Sequence, residues 1–249
     1  MKKFAILTAS LAAALFVSGC GGGGSDSAPA TTSPGAQGLW IGTTATNRTI
    51  TGLVFGDGSY YVLYSPVGNA TAIAGVVQGT GSSSAGTFTS VNAKDFNLEG
   101  LGVQSGSVSA AYVSKQSFNG SVAYSVGSNT PFTSTYDANY ETAPSLATLA
   151  GTFTGQVALS AGVQAATVTV SSSGAISGGN GGCALSGTAS PRTDGNAYNL
   201  SITFAAAPCF FANQTFTGIG YFNSVTKRLY AAAPNAARTD GVLFVGTKP

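Results

Sequence analysis

From residue 38 to residue 249 the chain is built of short runs in which hydrophobic and polar positions alternate, separated by turns rich in Gly, Asp and Asn. The runs are about five to nine residues long and rich in Val, Ile, Thr, Tyr and Phe, the residues that favour strands. Residues 196–204 alternate well. One face there carries apolar side chains, namely Tyr198, Leu200, Ile202 and Phe204.

Paired runs around Gly-, Asp- or Asn-containing turns predict hairpins. They are residues 49–55 with 59–65 around Gly56-Asp57-Gly58, residues 167–170 with 175–177, and residues 215–222 with 227–232. Only residues 94–98 and 143–149 predict single helical turns. Glycine at this density disfavours longer helices, because each one costs a helix about 1 kcal/mol. The predicted fold class is all-β and antiparallel.

An internal repeat predicts two units. Gly38-Leu39-Trp40-Ile41-Gly42 and Gly151-Thr152-Phe153-Thr154-Gly155 share the pattern G-x-aromatic-x-G, and each precedes a strand, a glycine turn and another strand. About eight strands are predicted in each half, the number that closes a small antiparallel barrel. We therefore expect two eight-stranded barrels in tandem, at residues 38–145 and 146–249. One larger sandwich or barrel is the alternative.

The N-terminal residues 1–19 have the features of an export signal. Lys2 and Lys3 precede residues 4–19, which are apolar or small and shorter than the roughly 20 residues of a membrane-spanning helix. They lead into Val17-Ser18-Gly19-Cys20, which resembles the lipobox of bacterial lipoproteins. The resemblance implies cleavage before Cys20, diacylglycerol on its thiol, and palmitate or a similar chain on its amino group. An ordinary secretory signal or a retained hydrophobic anchor is the alternative.

Lipid on Cys20 would make a membrane the first partner of the chain. Each buried CH₂ contributes about 0.8 kcal/mol, so two or three acyl chains anchor a protein stably. In Gram-negative lipoproteins an Asp after the cysteine often signals retention in the inner membrane, so Gly21 implies the outer membrane. Residues 20–37 lack apolar periodicity and are expected to be a flexible tether. The predicted location is the cell envelope, with the periplasmic or surface face left open.

Composition indicates a folded chain and narrows its partners. Apolar residues make up 43% and aromatic residues 10%, more than disordered chains contain. Without the two lysines of the signal, 8 basic residues are balanced by 8 acidic ones. No basic cluster remains to neutralise phosphates, so nucleic acid is not a predicted partner. The chain has no His, which excludes the usual Ser-His-Asp and Cys-His catalysis and imidazole metal sites.

Cys183 and Cys209 are the two cysteines left after Cys20. Disulfides persist outside the cytoplasm, and the spacing lacks the C-x-x-C of redox-active pairs. A bridge between them would close a loop of 27 residues. Such a bridge contributes roughly 3–4 kcal/mol in the chain-entropy model. A structural disulfide is therefore predicted, with two separate thiols as the alternative.

No catalytic, cofactor-binding or metal-binding constellation is predicted. Paired carboxylates serve glycosidases, and the candidates are Asp57, Asp95 with Glu99, and Asp137 with Glu141. Asp57 in Gly-Asp-Gly suits a tight turn, and each two-residue set requires a helical turn to bring its members together. The glycine-rich residues 178–182 lack the Lys-Ser/Thr of a phosphate-binding loop and are predicted to be a turn.

Aromatic residues are the remaining candidates for contacts with a ligand or partner: Trp40, Tyr60, Tyr64, Phe210 and Phe211. In residues 59–64 both faces of the strand are apolar, so it is either buried on both sides or presents tyrosines to a ligand. Gly38-Leu39-Trp40 resembles the opening motif of lipocalins, whose Trp closes the barrel base. The lipid anchor, tether and twin β units resemble surface lipoproteins of the transferrin-binding type. Core packing is the competing interpretation of these aromatics.

Three functions fit this pattern, in the order given. The first is a non-catalytic binding module for a small apolar ligand or an envelope protein, and a cavity of about 300 Å³ or more lined by Tyr and Phe would favour it. The second is a structural or adhesive envelope lipoprotein with filled interiors. The third is a carboxylate-based hydrolase, which needs two carboxylates about 5–9 Å apart in a cleft.

Overall fold

The computed structural model describes residues 35–127 and 129–249. The predicted signal segment 1–19, Cys20 and the tether up to residue 34 lie outside the described residues. No helix among the described residues is long and apolar enough to cross a membrane.

The first barrel is formed by nine antiparallel strands. They are β1 Gly38–Thr44, β2 Thr49–Val54, β3 Ser59–Tyr64, β4 Gly75–Thr80, β5 Ser82–Ser84, β6 Thr87–Asn97, β7 Gly102–Val113, β8 Ser117–Tyr124 and β9 Thr130–Asp137. The sheet order is β4-β3-β2-β1-β9-β8-β7-β6-β5, and β4 also pairs with β6. This pairing closes eight strands into a ring, with β5 attached to β6 as an extra edge strand.

A short connector leads to the second barrel. It contains a 3-10 helix, Ala138–Glu141, and one helical turn, α1 Leu146–Leu149. The strands that follow are β10 Gly151–Leu159, β11 Gly162–Val170, β12 Ala175–Asn180, β13 Cys183–Pro191, β14 Tyr198–Phe204, β15 Thr215–Asn223, β16 Arg228–Pro234 and β17 Gly241–Thr247. They pair in chain order, and β10 with β17 closes the ring. The predicted tandem of eight-stranded antiparallel barrels is confirmed, and the single larger sandwich or barrel is wrong.

The G-x-aromatic-x-G repeat forms the first strand of each barrel. Trp40 and Phe153 are buried within the two separate interior clusters. A Cβ at Gly42 would lie 1.9 Å from the carbonyl oxygen of Thr133 on β9, and one at Gly155 would lie 2.0 Å from a carbonyl oxygen of β17. The last strand of each barrel passes too close for a side chain at these positions. The second glycine of the repeat therefore allows the first strand of each barrel to pair closely with the last.

The two barrels pack against each other through their outer faces. One apolar cluster combines Leu63, Ile73, Val76 and Phe96 of the first barrel with Ala158, Ala232, Leu243 and Val245 of the second. A second cluster combines Leu39, Leu53 and Phe55 with the connector residue Tyr140 and with Ala197, Ile219 and Tyr221. The described residues accordingly belong to one compact unit. Strand β3 is apolar on both faces because one face lines its own barrel and the other meets this interface.

Local predictions were confirmed in part. The disulfide between Cys183 and Cys209 is present. The helical turn predicted at residues 94–98 is wrong, because residues 94–97 belong to β6 and pair with β4 on one side and β7 on the other. The turn predicted over residues 178–182 is shorter than expected, since Gly178–Asn180 continue β12 and pair with β13.

Candidate functional site

The interior of the first barrel contains a cavity of about 560 Å³. This volume lies within the range of roughly 300–1,000 Å³ that is usual for small-molecule sites. The corresponding space inside the second barrel is about 60 Å³. Valine and isoleucine side chains line the larger cavity together with aromatic rings, namely Trp40, Tyr60, Tyr64, Phe88, Phe118, Tyr124 and Phe132. Three of the five aromatic residues predicted as ligand contacts therefore lie on its wall.

Packed aromatic rings close one end of this cavity. The Trp40 ring stacks on Phe118 with centroids 5.4 Å apart, and Phe118 meets Phe88 at 5.5 Å. The Trp40 indole N–H donates to the Ala36 carbonyl at 3.0 Å. Because its only polar group is satisfied, Trp40 can be buried to 2% exposure. This is the end at which residues 35–37 lead into β1.

Loops surround the opposite end. They connect β1 to β2, β3 to β4, β6 to β7 and β8 to β9. Val67, Leu101 and Val126 lie on three of these loops, line the cavity and are exposed. The mouth of the cavity therefore offers an apolar rim along which an apolar molecule can enter.

One carboxylate lies within this apolar interior, that of Asp95 on β6, which is only 4% exposed. Its Oδ1 accepts a hydrogen bond from the Tyr64 hydroxyl and its Oδ2 accepts one from the Tyr124 hydroxyl, both at 2.7 Å. The Asn97 amide donates to the Tyr64 oxygen at 3.1 Å, so the hydroxyl hydrogen of Tyr64 is directed to Asp95. An ionised carboxylate can accept about four hydrogen bonds, so Asp95 retains acceptor capacity.

A β-bulge in β6 turns Asp95 inward. Between Ser90 and Ala93 the pairing with β7 shifts register, because three steps along β6 match two along β7. One extra residue reverses the alternation of the two faces from that point on. Asp95 therefore lines the cavity, while its neighbour Phe96 packs at the interface with the second barrel.

The second barrel contacts this bulge directly. Arg238, in the loop between β16 and β17, donates from Nη2 to the Asn92 carbonyl at 2.8 Å and to the Gln78 carbonyl at 2.7 Å. Asn92 lies within the bulge, and its Oδ1 accepts the backbone N–H of Thr80 at 2.9 Å. The inward position of Asp95 is thus supported by contacts from both barrels.

The nearby cation already has a partner of its own. Arg48 Nη2 lies 2.8 Å from Glu99 Oε2, and its Nη1 donates to the Ser65 carbonyl at 3.1 Å. The hydrogen bond with Glu99 is the main reason that the pKa of Arg48 is raised. Arg48 and Asp95 are the charged residues that line the cavity. The charge of Asp95 is therefore stabilised mainly by hydrogen bonds from neutral hydroxyl groups.

The titration behaviour of this group follows from its burial. Burial raises the pKa of Asp95, and hydrogen bonds from Tyr124 and Tyr64 and the charge of Arg48 oppose the shift only in part. Burial also raises the pKa values of the two tyrosine hydroxyls, with the charge of Asp95 adding to both shifts. Both hydroxyls consequently remain protonated donors near neutral pH.

The other predicted aromatic pair lies in the second barrel, away from the cavity. Phe211 is 6% exposed, and its ring centroid is 4.7 Å from that of Phe216. Phe210 is 59% exposed on the same loop. Phe211 is therefore part of the core of the second barrel, and only Phe210 is available for surface contacts.

The other carboxylates named from the sequence have structural partners. Asp57 accepts the backbone N–H of Ser59 at 2.8 Å within the β2–β3 turn. Asp137 accepts the backbone N–H of Asn139 at 2.9 Å at the start of the 3-10 helix. Glu141 forms an ion pair of 2.8 Å with Lys115 on the surface. These carboxylates thus serve turns, a helix terminus and a surface ion pair.

Sequence reasoning named Asp95 only as half of a carboxylate pair and missed its position inside the barrel. It also missed Tyr124, the second donor to that carboxylate. The pattern of buried positions does contain a sign of this placement. Phe88 and Ser90 are buried two positions apart, and Ala93 and Asp95 continue the same spacing after a shift of one residue.

No family model and no curated protein matches this chain. Solved structures with matching chains include two of transferrin binding protein B. A tryptophan-to-alanine variant from Haemophilus parasuis Hp5 matches at 9% identity and a TM-score of 0.27, over 82% of this chain and 66% of the other. The protein from serogroup B Neisseria meningitidis matches at 9% identity and 0.29, over 80% and 66%. This chain thus spans just under two thirds of the length of each of these proteins.

Proposed function

We propose that this chain is a non-catalytic binding protein of the bacterial cell envelope, which holds a small, mostly apolar ligand inside its first barrel. The observation that carries the proposal is the cavity of about 560 Å³, lined by Tyr, Phe and Val and bordered by an apolar rim. The second barrel uses the same strand plan but leaves only about 60 Å³. Protein interiors are normally close-packed, so a space of this size inside one of two similar barrels favours a ligand site.

The chain offers its own reporter for binding. Trp40 is the only tryptophan in the sequence and lies on the cavity wall. Its emission therefore reports on this cavity when excitation is restricted to wavelengths that tyrosines do not absorb. Both barrels belong to one compact unit, so a chain of residues 33–249, which contains all of it and lacks Cys20, is used for the measurement.

The test is a titration with decanol, an uncharged apolar probe. We expect a saturable change in Trp40 emission. Val62 lines the cavity, so Val62→Phe should fill part of it and weaken decanol binding by about tenfold, since each 1.4 kcal/mol of lost contact is a factor of ten. Val163→Phe adds the same volume on an exposed strand of the second barrel and serves as the control. Absence of saturation, or equal affinity in the wild type and Val62→Phe, would refute the proposal.

We also propose that acyl chains on Cys20 anchor the chain to the outer membrane. The lipobox-like sequence before Cys20 supports this proposal. Metabolic labelling with an alkyne analogue of palmitate should label the wild type and not a Cys20→Ser chain. Equal labelling, or equal retention in the membrane fraction, would contradict the anchor and leave the cavity proposal unaffected.

A further inference from the structure

Among the described residues Asp95 supplies the one carboxylate of the cavity lining, and this residue narrows the ligand class; the inference rests on the proposed function. We propose that the ligand is an apolar amine whose protonated nitrogen binds Asp95 near the mouth while its hydrocarbon part occupies the space down to Trp40. Asp95 lines the cavity near its loop end, and Trp40 lies at the closed end. The cavity thus pairs one polar contact with an otherwise apolar wall.

The charges around Asp95 favour a cation over other head groups. A buried charge is costly unless it is paired and hydrogen-bonded. Asp95 has two hydroxyl donors, and the nearby Arg48 is in contact with Glu99. An ammonium group would supply the missing positive charge and would donate to the acceptor sites that Tyr64 and Tyr124 leave open.

A carboxylate or an alcohol would fit this position less well. A fatty acid would bring a second negative charge next to Asp95 and would have to compete with Glu99 for Arg48. An alcohol can donate one hydrogen bond but supplies no charge. For three probes with the same alkyl chain, the expected order of affinity is amine, then alcohol, then carboxylate.

The pH dependence provides a readout that needs no variant. The groups that face or influence Asp95 are Tyr64 from β3, Tyr124 from β8, Arg48 from the β1–β2 turn and Glu99 from the β6–β7 loop. Alkylamines remain protonated throughout the acid range. Amine binding should therefore weaken as the pH falls through the raised pKa of Asp95, because the carboxylate becomes neutral. Decanol binding should not follow this profile.

The experiment titrates residues 33–249 with decylamine, decanol and decanoate, below their aggregation concentrations, and follows Trp40 emission. We expect decylamine to bind the wild type about tenfold more tightly than decanol. The reason is that a hydrogen bond between two charged groups is stronger than one from a neutral hydroxyl. In Asp95→Asn, which keeps the shape and one acceptor but carries no charge, this preference should vanish. Asp57→Asn removes a carboxylate from a turn at the other end of the barrel and should keep the preference.

The outcomes separate the two proposals. Binding of none of the probes refutes the ligand-binding function itself. Equal affinity for decanol and decylamine on the wild type, or a preference that survives in Asp95→Asn, refutes the amine proposal and leaves an apolar site. If Asp95→Asn fails to fold, the wild-type pH profile decides: amine affinity that does not fall toward acid pH overturns the proposal.

Discussion

Breaking the disulfide should release the loop that plugs the second barrel. Cys209 lies on the segment between β14 and β15, and Cys183 begins β13. The same segment carries Phe211, whose ring packs at 4.7 Å from Phe216 and 5.9 Å from Phe204. The bridge therefore restrains the residues that bring an aromatic ring into the end of the barrel.

The magnitude follows from the length of the closed loop. With the two cysteines 26 positions apart, the chain-entropy relation gives about 3.5 kcal/mol at 25 °C. At about 2–4 °C per kcal/mol for a chain of this size, the melting temperature should fall by roughly 7–14 °C. The assay is denaturant and thermal unfolding of residues 33–249, comparing the oxidised wild type with the double variant Cys183→Ala/Cys209→Ala.

Two controls test whether the loss of stability comes from the disulfide. Each single variant should lose nearly as much stability as the double variant, because either one removes the whole bridge and the effects are not additive. Decanol binding, followed by Trp40 emission, should persist in the double variant, because the cavity lies in the first barrel and the disulfide in the second. A loss below about 1 kcal/mol in the double variant would show that the loop is held without the bridge, against the chain-entropy account.

Three further predictions concern the first barrel and its supports. Arg238→Ala removes two hydrogen bonds to backbone carbonyls of the first barrel and should lower the free energy of unfolding by about 1–3 kcal/mol; unchanged denaturant unfolding would contradict it. Because burial raises the pKa of Asp95, its contribution to stability is greatest below the ordinary pKa of Asp and is lost as the pH rises through the raised value. Urea unfolding at several pH values should show this fall in the wild type and not in Asp95→Asn, and parallel profiles would refute it. Gly42→Ala places a Cβ 1.9 Å from a carbonyl oxygen of β9 and should cost more than about 2 kcal/mol, whereas Gly56→Ala, with open space around it, should change the unfolding midpoint little.

Much of the fold was predictable because its determinants are local. Alternation with a period of two indicates strands, and Gly-Asp-Gly between residues 49–55 and 59–65 indicates a hairpin. The repeated G-x-aromatic-x-G motif indicated two units. In the structure the motif is needed because the first and last strands of each barrel pass too close together for a side chain at its second glycine. The disulfide was predicted from the two remaining cysteines and from an expected location outside the cytoplasm, where disulfides persist.

The polar centre of the cavity was not predictable in the same way. Residues 94–98 combine charged and apolar side chains and lack strand alternation with the preceding residues. The cause is the bulge between Ser90 and Ala93, where β6 also changes its partner from β5 to β4. A bulge depends on which strands meet across the barrel, and this is tertiary information. The sequence pattern therefore predicted a helical turn where the structure has a strand that carries Asp95 inward.

The contrast between an open and a filled interior has a specific structural cause. In each ring the fifth and sixth strands are joined at equivalent ends, β6 to β7 in the first barrel and β14 to β15 in the second. In the second barrel this connection spans residues 205–214, long enough to fold back and place Phe211 against the core. In the first barrel it spans only residues 98–101, and Leu101 stays exposed at the mouth. The same strand plan thus yields a plugged barrel that adds packing and a disulfide, and an open barrel with one carboxylate aimed into it. Since filling an interior is the usual route to stability, the open barrel is the half of the molecule in which a ligand is to be sought.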